Sequence, residues 1–177
     1  MNYTFLGDRI FSFSLCAFLF YRKQKKLALY LLVGYLSSGL AIQLLKQLIH
    51  TPNPMINFEN SQYLFHMDNF GSNGSGINGF PSGHTSAVFV LAITLAIYLK
   101  NNLWSILFFL GAILAGYSRI YPAQHFPADV LLGSITGTIF AGLSVVLIES
   151  TDRTRLFRKE DHKLQALNDG LPPTAIS

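Results

Sequence analysis

Hydrophobic residues occur along the chain in five long runs, which polar segments of very different lengths separate. The runs extend approximately over residues 5–21, 27–45, 80–99, 102–118 and 129–148. A helix that crosses a bilayer needs about 20 mainly apolar residues, with a range of about 17 to 25. The last four runs meet this requirement, whereas the first, which carries Asp8 and Arg9 near its start, is marginal. The pattern predicts an all-α, polytopic membrane bundle with five visible transmembrane helices.

The composition agrees with a membrane location. Half of the 177 residues are hydrophobic and only 12% are charged, whereas soluble domains usually contain about 25% charged residues. The net charge is +4, but the basic residues form short clusters between apolar runs and do not line a face that would bind nucleic acid. Cys16, the single cysteine, lies inside an apolar run and cannot form an intrachain disulfide. We therefore expect lipids, and no nucleic acid, as partners.

The basic clusters predict the orientation in the membrane. They lie at residues 22–26, at Lys100 and at residues 153–163, whereas the long segment 50–79 contains neither Lys nor Arg. Segments rich in Lys and Arg stay in the cytoplasm, and this rule is satisfied consistently through all five crossings. We expect a membrane domain over residues 1–150, an extracytoplasmic segment 50–79 and a cytoplasmic basic tail over residues 151–177. A cleavable signal peptide is not expected.

Polar residues lie at the helix ends that this topology places outside. Ionisable groups at membrane depth are costly and usually mark a functional site. The topology rests on the basic clusters alone, and yet it brings two histidines, two cations, two serines and a carboxylate to one face. The residues at these ends are Lys46, Pro81, Ser82, Gly83, His84, Ser118, Arg119, His125 and Asp129.

Several of these residues suit a phosphate group. The Ser82-Gly83-His84 segment opens the third helix, where free N–H groups and the helix dipole attract anions. Gly83 allows the backbone to approach a ligand closely. Arg119 can hold two phosphate oxygens at once, and Lys46 adds a point charge. The pattern predicts a phosphate-binding site.

His125 and Asp129 add a nucleophile to this site. Their spacing of four residues lets the carboxylate fix one ring nitrogen, so that the other nitrogen is free to attack phosphorus. His84 is then the proton donor to the leaving group. Each residue also has a structural explanation by itself: Ser82 as a helix cap, Lys46 as a cation that reaches the interface. Those explanations do not account for the whole set, which favours phosphoryl transfer.

The sequence resembles the type 2 phosphatidic acid phosphatase superfamily, which also includes vanadium haloperoxidases. Two family motifs are present in order, Pro81-Ser82-Gly83-His84 and Ser118-Arg119-x5-His125-x3-Asp129. A third family motif, Lys-x6-Arg-Pro, comes before these two along the chain. Lys46 and Pro54 match it, but Asn53 stands in place of its arginine. The resemblance covers residues 5–148. Family members usually have six membrane helices, so either a first helix lies upstream or the protein functions without it.

The resemblance implies a mechanism and a location. His125 would form a phosphohistidine, Asp129 would orient it and His84 would protonate the leaving group. The phosphate oxygens would be bound by Lys46, Ser82, Gly83 and Arg119, with Asn53, Pro81 and Ser118 as further candidates. Neither a metal nor a cofactor is expected. The protein would lie in a bacterial inner membrane with its active site facing the periplasm or exterior.

Three functions stay open at this point. The leading one is hydrolysis of a lipid phosphate or diphosphate, and the family resemblance favours undecaprenyl diphosphate over phosphatidate, phosphatidylglycerol phosphate and lipid A phosphates. A phosphotransferase would use a lipid acceptor in place of water. The substitution at Asn53 also fits a membrane protein that binds a phospholipid without catalysis, and a haloperoxidase fits the apolar helices less well. The substrate and the oligomeric state are not determined by the sequence.

Overall fold

Helices are the only regular elements in the described part of the chain. The computed structural model describes residues 9–49, 80–121 and 125–168. The helices are α1 (Arg9–Tyr21), α2 (Lys25–Leu48), α3 (Gly83–Leu99), α4 (Asn102–Ile120) and α5 (Pro127–Asn168). By length and composition, α2, α4 and residues 127–158 of α5 can each span a membrane, and α3 is apolar but shorter, at 17 residues. The predicted all-α membrane bundle is confirmed, with five helices in the described ranges.

Two of the predicted basic segments are tight turns. Lys23 between α1 and α2, and Lys100 between α3 and α4, both have positive φ angles, of 61° and 51°. Such left-handed backbone is uncommon for residues other than glycine, and here it reverses the chain within a few residues. Asn101 then caps α4, because its Oδ1 accepts a hydrogen bond of 3.2 Å from the Trp104 N–H. Consecutive helices are therefore antiparallel neighbours at these turns.

Helix α3 connects the two apolar clusters of the core. In one cluster Leu91 of α3 packs with Cys16 of α1 and Leu27 and Leu31 of α2. The other cluster joins α3 to α4 through side chains that include Phe89. Buried hydroxyl side chains accompany these apolar ones along α3: Thr85, Ser86 and Thr94. The helix is thus apolar by composition but carries its polar groups towards other helices.

Glycines allow the closest helix contacts. A Cβ atom added at Gly133 of α5 would lie 2.5 Å from the carbonyl oxygen of Ser82, and one at Gly137 would overlap the carbonyl oxygen of Ser86. The backbones of α5 and α3 therefore touch at both positions. Small residues allow such approaches between membrane helices. This contact fixes the start of α3 against the first turns of α5.

The chain divides into two compact units, Met1–Ser144 and Val145–Ser177. In the second unit, residues 145–168 are helical and belong to α5. The sequence pattern placed the end of the fifth membrane helix near Ile148, but the helix continues to Asn168. Residues 149–168 contain no Gly or Pro and many good helix formers, which explains the continuation. The predicted boundary of the membrane domain after residue 150 stays a prediction.

Candidate active site

The turn that opens α3 is buried and held by its own side chains. Ser82, the N-cap residue, is fully buried, as is Pro81 before it. The Ser82 Oγ accepts hydrogen bonds from the Thr85 N–H at 3.4 Å and from the Thr85 Oγ1 hydroxyl at 3.0 Å. A serine in this position satisfies one of the N–H groups that a helix start leaves without a partner in the helix. The structure thus places Ser82 as a helix cap at the predicted phosphate-binding turn.

A backbone hydrogen bond ties this turn to the start of α5. The Ser82 N–H donates to the carbonyl oxygen of Asp129 at 3.1 Å. The sequence pattern predicted that the whole Ser82–His84 segment offers N–H groups to an anion, but the Ser82 N–H is already used. Within the predicted segment, the backbone N–H groups of Gly83 and His84 stay as the candidates for anion binding, because the Thr85 N–H donates to the Ser82 Oγ. Gly83 lies beside Ile42 of α2, because a Cβ atom added at Gly83 would lie 3.6 Å from the Ile42 Cγ2. Ile42 precedes Lys46 by one helical turn.

His125 and Asp129 contact each other at the start of α5, next to the turn that opens α3. The Asp129 Oδ2 lies 3.4 Å from the His125 Nδ1 and accepts a hydrogen bond of 2.9 Å from the Phe126 N–H. The side chains are 13% and 5% exposed. The contact lies at the long end of the hydrogen-bond range, and it leaves the Nε2 of His125 as the ring nitrogen that does not face the carboxylate. This is the geometry that a carboxylate-oriented nucleophile requires.

Two cations act on the His125 ring. Burial lowers the pKa of His125 below its ordinary value; Asp129 opposes this effect, and the positive charges of Arg119 and Lys46 reinforce it. The backbone N–H of His125 also donates to the backbone carbonyl oxygen of Arg119 at 3.3 Å. The structure therefore brings Lys46 of α2 and Arg119 of α4 into electrostatic range of the histidine. A lowered pKa keeps the imidazole neutral and nucleophilic to more acidic pH.

The other predicted site residues lie at the ends of α3 and α4 or outside the described residues. His84 is half-buried at the second position of α3. Ser118 is exposed, and its hydroxyl donates to the Ala115 carbonyl oxygen of its own helix at 2.7 Å, as serines within helices often do. Its role at the phosphate stays a prediction. Asn53 lies outside the described residues.

Sequence reasoning missed Thr85. Its side chain is fully buried and binds the Ser82 hydroxyl, although nothing in the motif beyond the spacing of three residues from the cap points to it. The glycines that surround it, Gly116 and Gly133, lie on two other helices. In residues 9–49, 80–121 and 125–168, no three His, Cys, Asp or Glu side chains are grouped in a way that could hold a metal ion.

Comparisons with known proteins find similar chains. A family model described as the PAP2 superfamily matches residues 27–152. An undecaprenyl-diphosphatase of Sulfolobus acidocaldarius is 30% identical over 133 residues, which are 75% of this chain and 60% of that protein. A lipid A 4'-phosphatase of Bacteroides thetaiotaomicron is 39% identical over 67 residues, 38% of this chain and 29% of that protein.

A solved structure supports the fold over a longer range. The crystal structure of LpxE from Aquifex aeolicus has a TM-score of 0.67 and 30% sequence identity, and the likeness covers 80% of each chain. The BcrC undecaprenyl-diphosphatase of Bacillus subtilis is 40% identical over 65 residues, 36% of this chain and 31% of that protein. The chain thus spans 60% or less of the length of the curated relatives that it matches.

Proposed function

The chain belongs to the PAP2 superfamily, and from this membership we propose that it is a membrane phosphatase that removes phosphate from a lipid phosphate or diphosphate. The observation that carries the proposal is the largely buried His125–Asp129 pair, with Lys46 and Arg119 in electrostatic range of the imidazole. A protein that only bound a phospholipid would need the cations but not the oriented histidine.

The proposed reaction has two steps, which resemble those of other phosphoryl transfers. The His125 Nε2 attacks phosphorus and forms an N–P bond while the bond from phosphorus to the leaving oxygen breaks. His84 gives its proton to that oxygen. A water molecule then attacks phosphorus, the N–P bond breaks, and the proton of the water returns to His84. Asp129 keeps the imidazole in one tautomer throughout.

Fixed positive charge supplies the electrostatic part of catalysis. Charge on the phosphoryl oxygens must be stabilised in the transition state, and positioned cations do this best where water is excluded. Lys46 and Arg119 approach from α2 and α4, while the first turn of α3 contributes the N–H of Gly83. We propose that the reaction needs no metal ion. Ser82 is fully covered by protein atoms, so a phosphate oxygen that it binds replaces one of the groups that cover it.

We propose a polyprenyl diphosphate, such as undecaprenyl diphosphate, as the substrate. Two of the similar proteins carry the name undecaprenyl-diphosphatase, whereas one is named as a lipid A 4'-phosphatase. The site lies at the ends of apolar helices, where a lipid can present its phosphate and keep its chain in the bilayer. The basic turns at Lys23 and Lys100 favour an extracytoplasmic site, because they lie at the opposite ends of these helices.

One experiment tests both the activity and the face. Sealed right-side-out vesicles that contain the protein receive a short-chain polyprenyl diphosphate from outside, with a chelator present, and released phosphate is measured before and after detergent. The wild type should release phosphate without detergent, and His125→Ala should lower the rate by at least about 10³-fold at equal protein content. A rate that appears only after detergent would place the site in the cytoplasm.

The same assay separates the alternatives. Near-normal turnover by His125→Ala would remove it as nucleophile, and loss of activity in the chelator that Mg²⁺ restores would contradict the metal-free reaction. Consumption of substrate with phosphate transferred to a second lipid, and none released, would identify a phosphotransferase. Binding without any turnover would identify a phospholipid-binding protein.

A further inference from the structure

Thr85 is the residue that holds the Ser82 hydroxyl. It is the third residue of α3 and is fully buried, as is Ser82. Its backbone N–H and its Oγ1 hydroxyl both donate to the same oxygen, the Ser82 Oγ, at 3.4 Å and 3.0 Å. An ordinary N-cap accepts only the backbone N–H bond. The second bond, from the Thr85 side chain, is therefore not needed for capping.

The Thr85 side chain is fixed by the two helices that pack against it. A Cβ atom at Gly116 of α4 would lie 3.4 Å from the Thr85 Cγ2, and a Cβ atom at Gly133 of α5 would lie 3.3 Å from the Thr85 Cβ. The glycines leave just enough room for the branched side chain. Threonine is stiff at χ1, so packing on both sides leaves its hydroxyl directed at Ser82.

This arrangement determines what the Ser82 hydroxyl can do. A serine oxygen has two acceptor lone pairs and one hydrogen to donate. Thr85 occupies both lone pairs, so the hydrogen of Ser82 is left to donate to another acceptor. Without the Thr85 hydroxyl, the Ser82 hydroxyl could rotate, and its hydrogen could point to other groups at the start of α3. Both side chains are buried, so water does not compete for these bonds.

We propose that Thr85 is a positioning residue, which orients the Ser82 hydroxyl as a donor to a phosphoryl oxygen. The inference rests on the proposed function, because it needs phosphate at this turn. Once a phosphate oxygen has replaced the group that covers Ser82, a hydroxyl that is already aimed needs no further reorganisation as charge develops on the phosphoryl oxygens. Thr85 should therefore act mainly on kcat, since an interaction that strengthens in the transition state changes kcat more than KM.

The test compares two substitutions that divide the threonine side chain. Thr85→Val keeps the volume and the branched shape but removes the hydroxyl, whereas Thr85→Ser keeps the hydroxyl and removes the methyl group. The matched control is Thr94→Val, which removes a fully buried hydroxyl from the same helix, about 13 Å further along its axis. Steady-state kcat and KM are measured for each protein in detergent, together with the dissociation constant of orthovanadate.

Thr85→Val should lower kcat by about 10- to 100-fold, by analogy with groups that orient the ligands of a metal, and change KM by less than about twofold. Orthovanadate binding should weaken by a comparable factor. Thr85→Ser should recover most of both losses, and Thr94→Val should match the wild type. In the Ser82→Ala background, Thr85→Val should cause no further loss, because the group that it orients is gone.

Three results would overturn the inference: wild-type kcat in Thr85→Val, equal losses in Thr85→Val and Thr85→Ser, or losses that multiply in the double variant. Equal losses would show that the hydroxyl alone does not account for the effect, and losses that multiply would show that Thr85 does not act through the Ser82 hydroxyl. Vanadate binding separates this failure from failure of the proposed function. If the wild type released no lipid phosphate but bound vanadate with the predicted dependence on Thr85, the inference would stand and the proposed activity would fall.

Discussion

Among the described residues, the two side chains that cap helix N-termini have the same local geometry and very different surroundings. Ser82 caps α3 by accepting the N–H of Thr85 at 3.4 Å, and Asn101 caps α4 by accepting the N–H of Trp104 at 3.2 Å. In each case the side chain bonds to the N–H three residues later. Ser82, however, is fully buried, whereas Asn101 is exposed. The hydrogen bond that starts a helix is therefore not what distinguishes a functional site.

The difference lies in the partners beyond the cap. The Ser82 N–H reaches Asp129 on another helix, and its hydroxyl also accepts from the Thr85 side chain. At Asn101, the backbone carbonyl accepts from the N–H and the hydroxyl of Ser105, one turn ahead in the same helix. The Ser82 turn is thus connected to two catalytic candidates through α5, whereas the Asn101 turn is connected mainly to its own helix.

Of the changes that test this comparison, we expect the largest effect from one that disrupts the contact between Gly133 of α5 and the Ser82 turn. In Gly133→Ala the new methyl group would lie 2.5 Å from the Ser82 carbonyl oxygen, so the start of α3 must move away from His125 and Asp129. Displacement by about 1 Å can cost roughly 10²-fold in rate, and we expect a loss of kcat of that order. Phosphate release is measured at equal amounts of membrane-inserted protein.

The control for this change lies on the helix that Asn101 caps. An added Cβ at Gly111 of α4 meets no atom within 4 Å, and alanine is the better helix former. Gly111→Ala should therefore keep wild-type kcat and equal or greater stability. Equal kcat in Gly133→Ala and Gly111→Ala would mean that the contact between α5 and α3 does not position the site.

A smaller effect should appear in the pH dependence of kcat/KM, which reports the free enzyme. Burial first, and then Arg119 and Lys46, lower the pKa of His125, so activity should persist below the ordinary histidine pKa of about 6.5. Lys46→Gln removes a positive charge and should raise the pKa of His125. As the pH is lowered, this variant should therefore lose activity at a higher pH than the wild type does.

Lys100→Gln is the matched charge change beside Asn101, at the exposed end of α3. In this variant, kcat/KM should fall at the same acidic pH as in the wild type, so that the acidic limb of the profile is unchanged. An identical limb in Lys46→Gln and the wild type would show that Lys46 does not act on the nucleophile. A limb that moved to lower pH would contradict the sign of the proposed electrostatic effect.

The sequence predicted the helices well, because lipid imposes long apolar runs and leaves short basic turns between them. It also predicted the contact between His125 and Asp129, which is local because only four residues separate the two at the start of α5. It did not predict that the Ser82 N–H binds Asp129, or that Thr85 lies between Gly116 and Gly133. Those contacts depend on how α3, α4 and α5 pack, which the spacing of residues within one helix does not determine.

The smallest expected effect concerns the exposed cap itself. Asn101→Ala removes the side-chain acceptor of the Trp104 N–H, and loss of such a cap typically costs about 1 kcal/mol. Water can reach the freed N–H at this exposed turn, so the cost should not exceed that range. Thermal unfolding of the purified protein in detergent measures it, and kcat should equal that of the wild type. Asn101→Asp, which keeps a capping oxygen, should retain wild-type stability. A fall in kcat without a fall in Tm would show that the two ends of α3 are coupled and that the exposed cap also serves the active site.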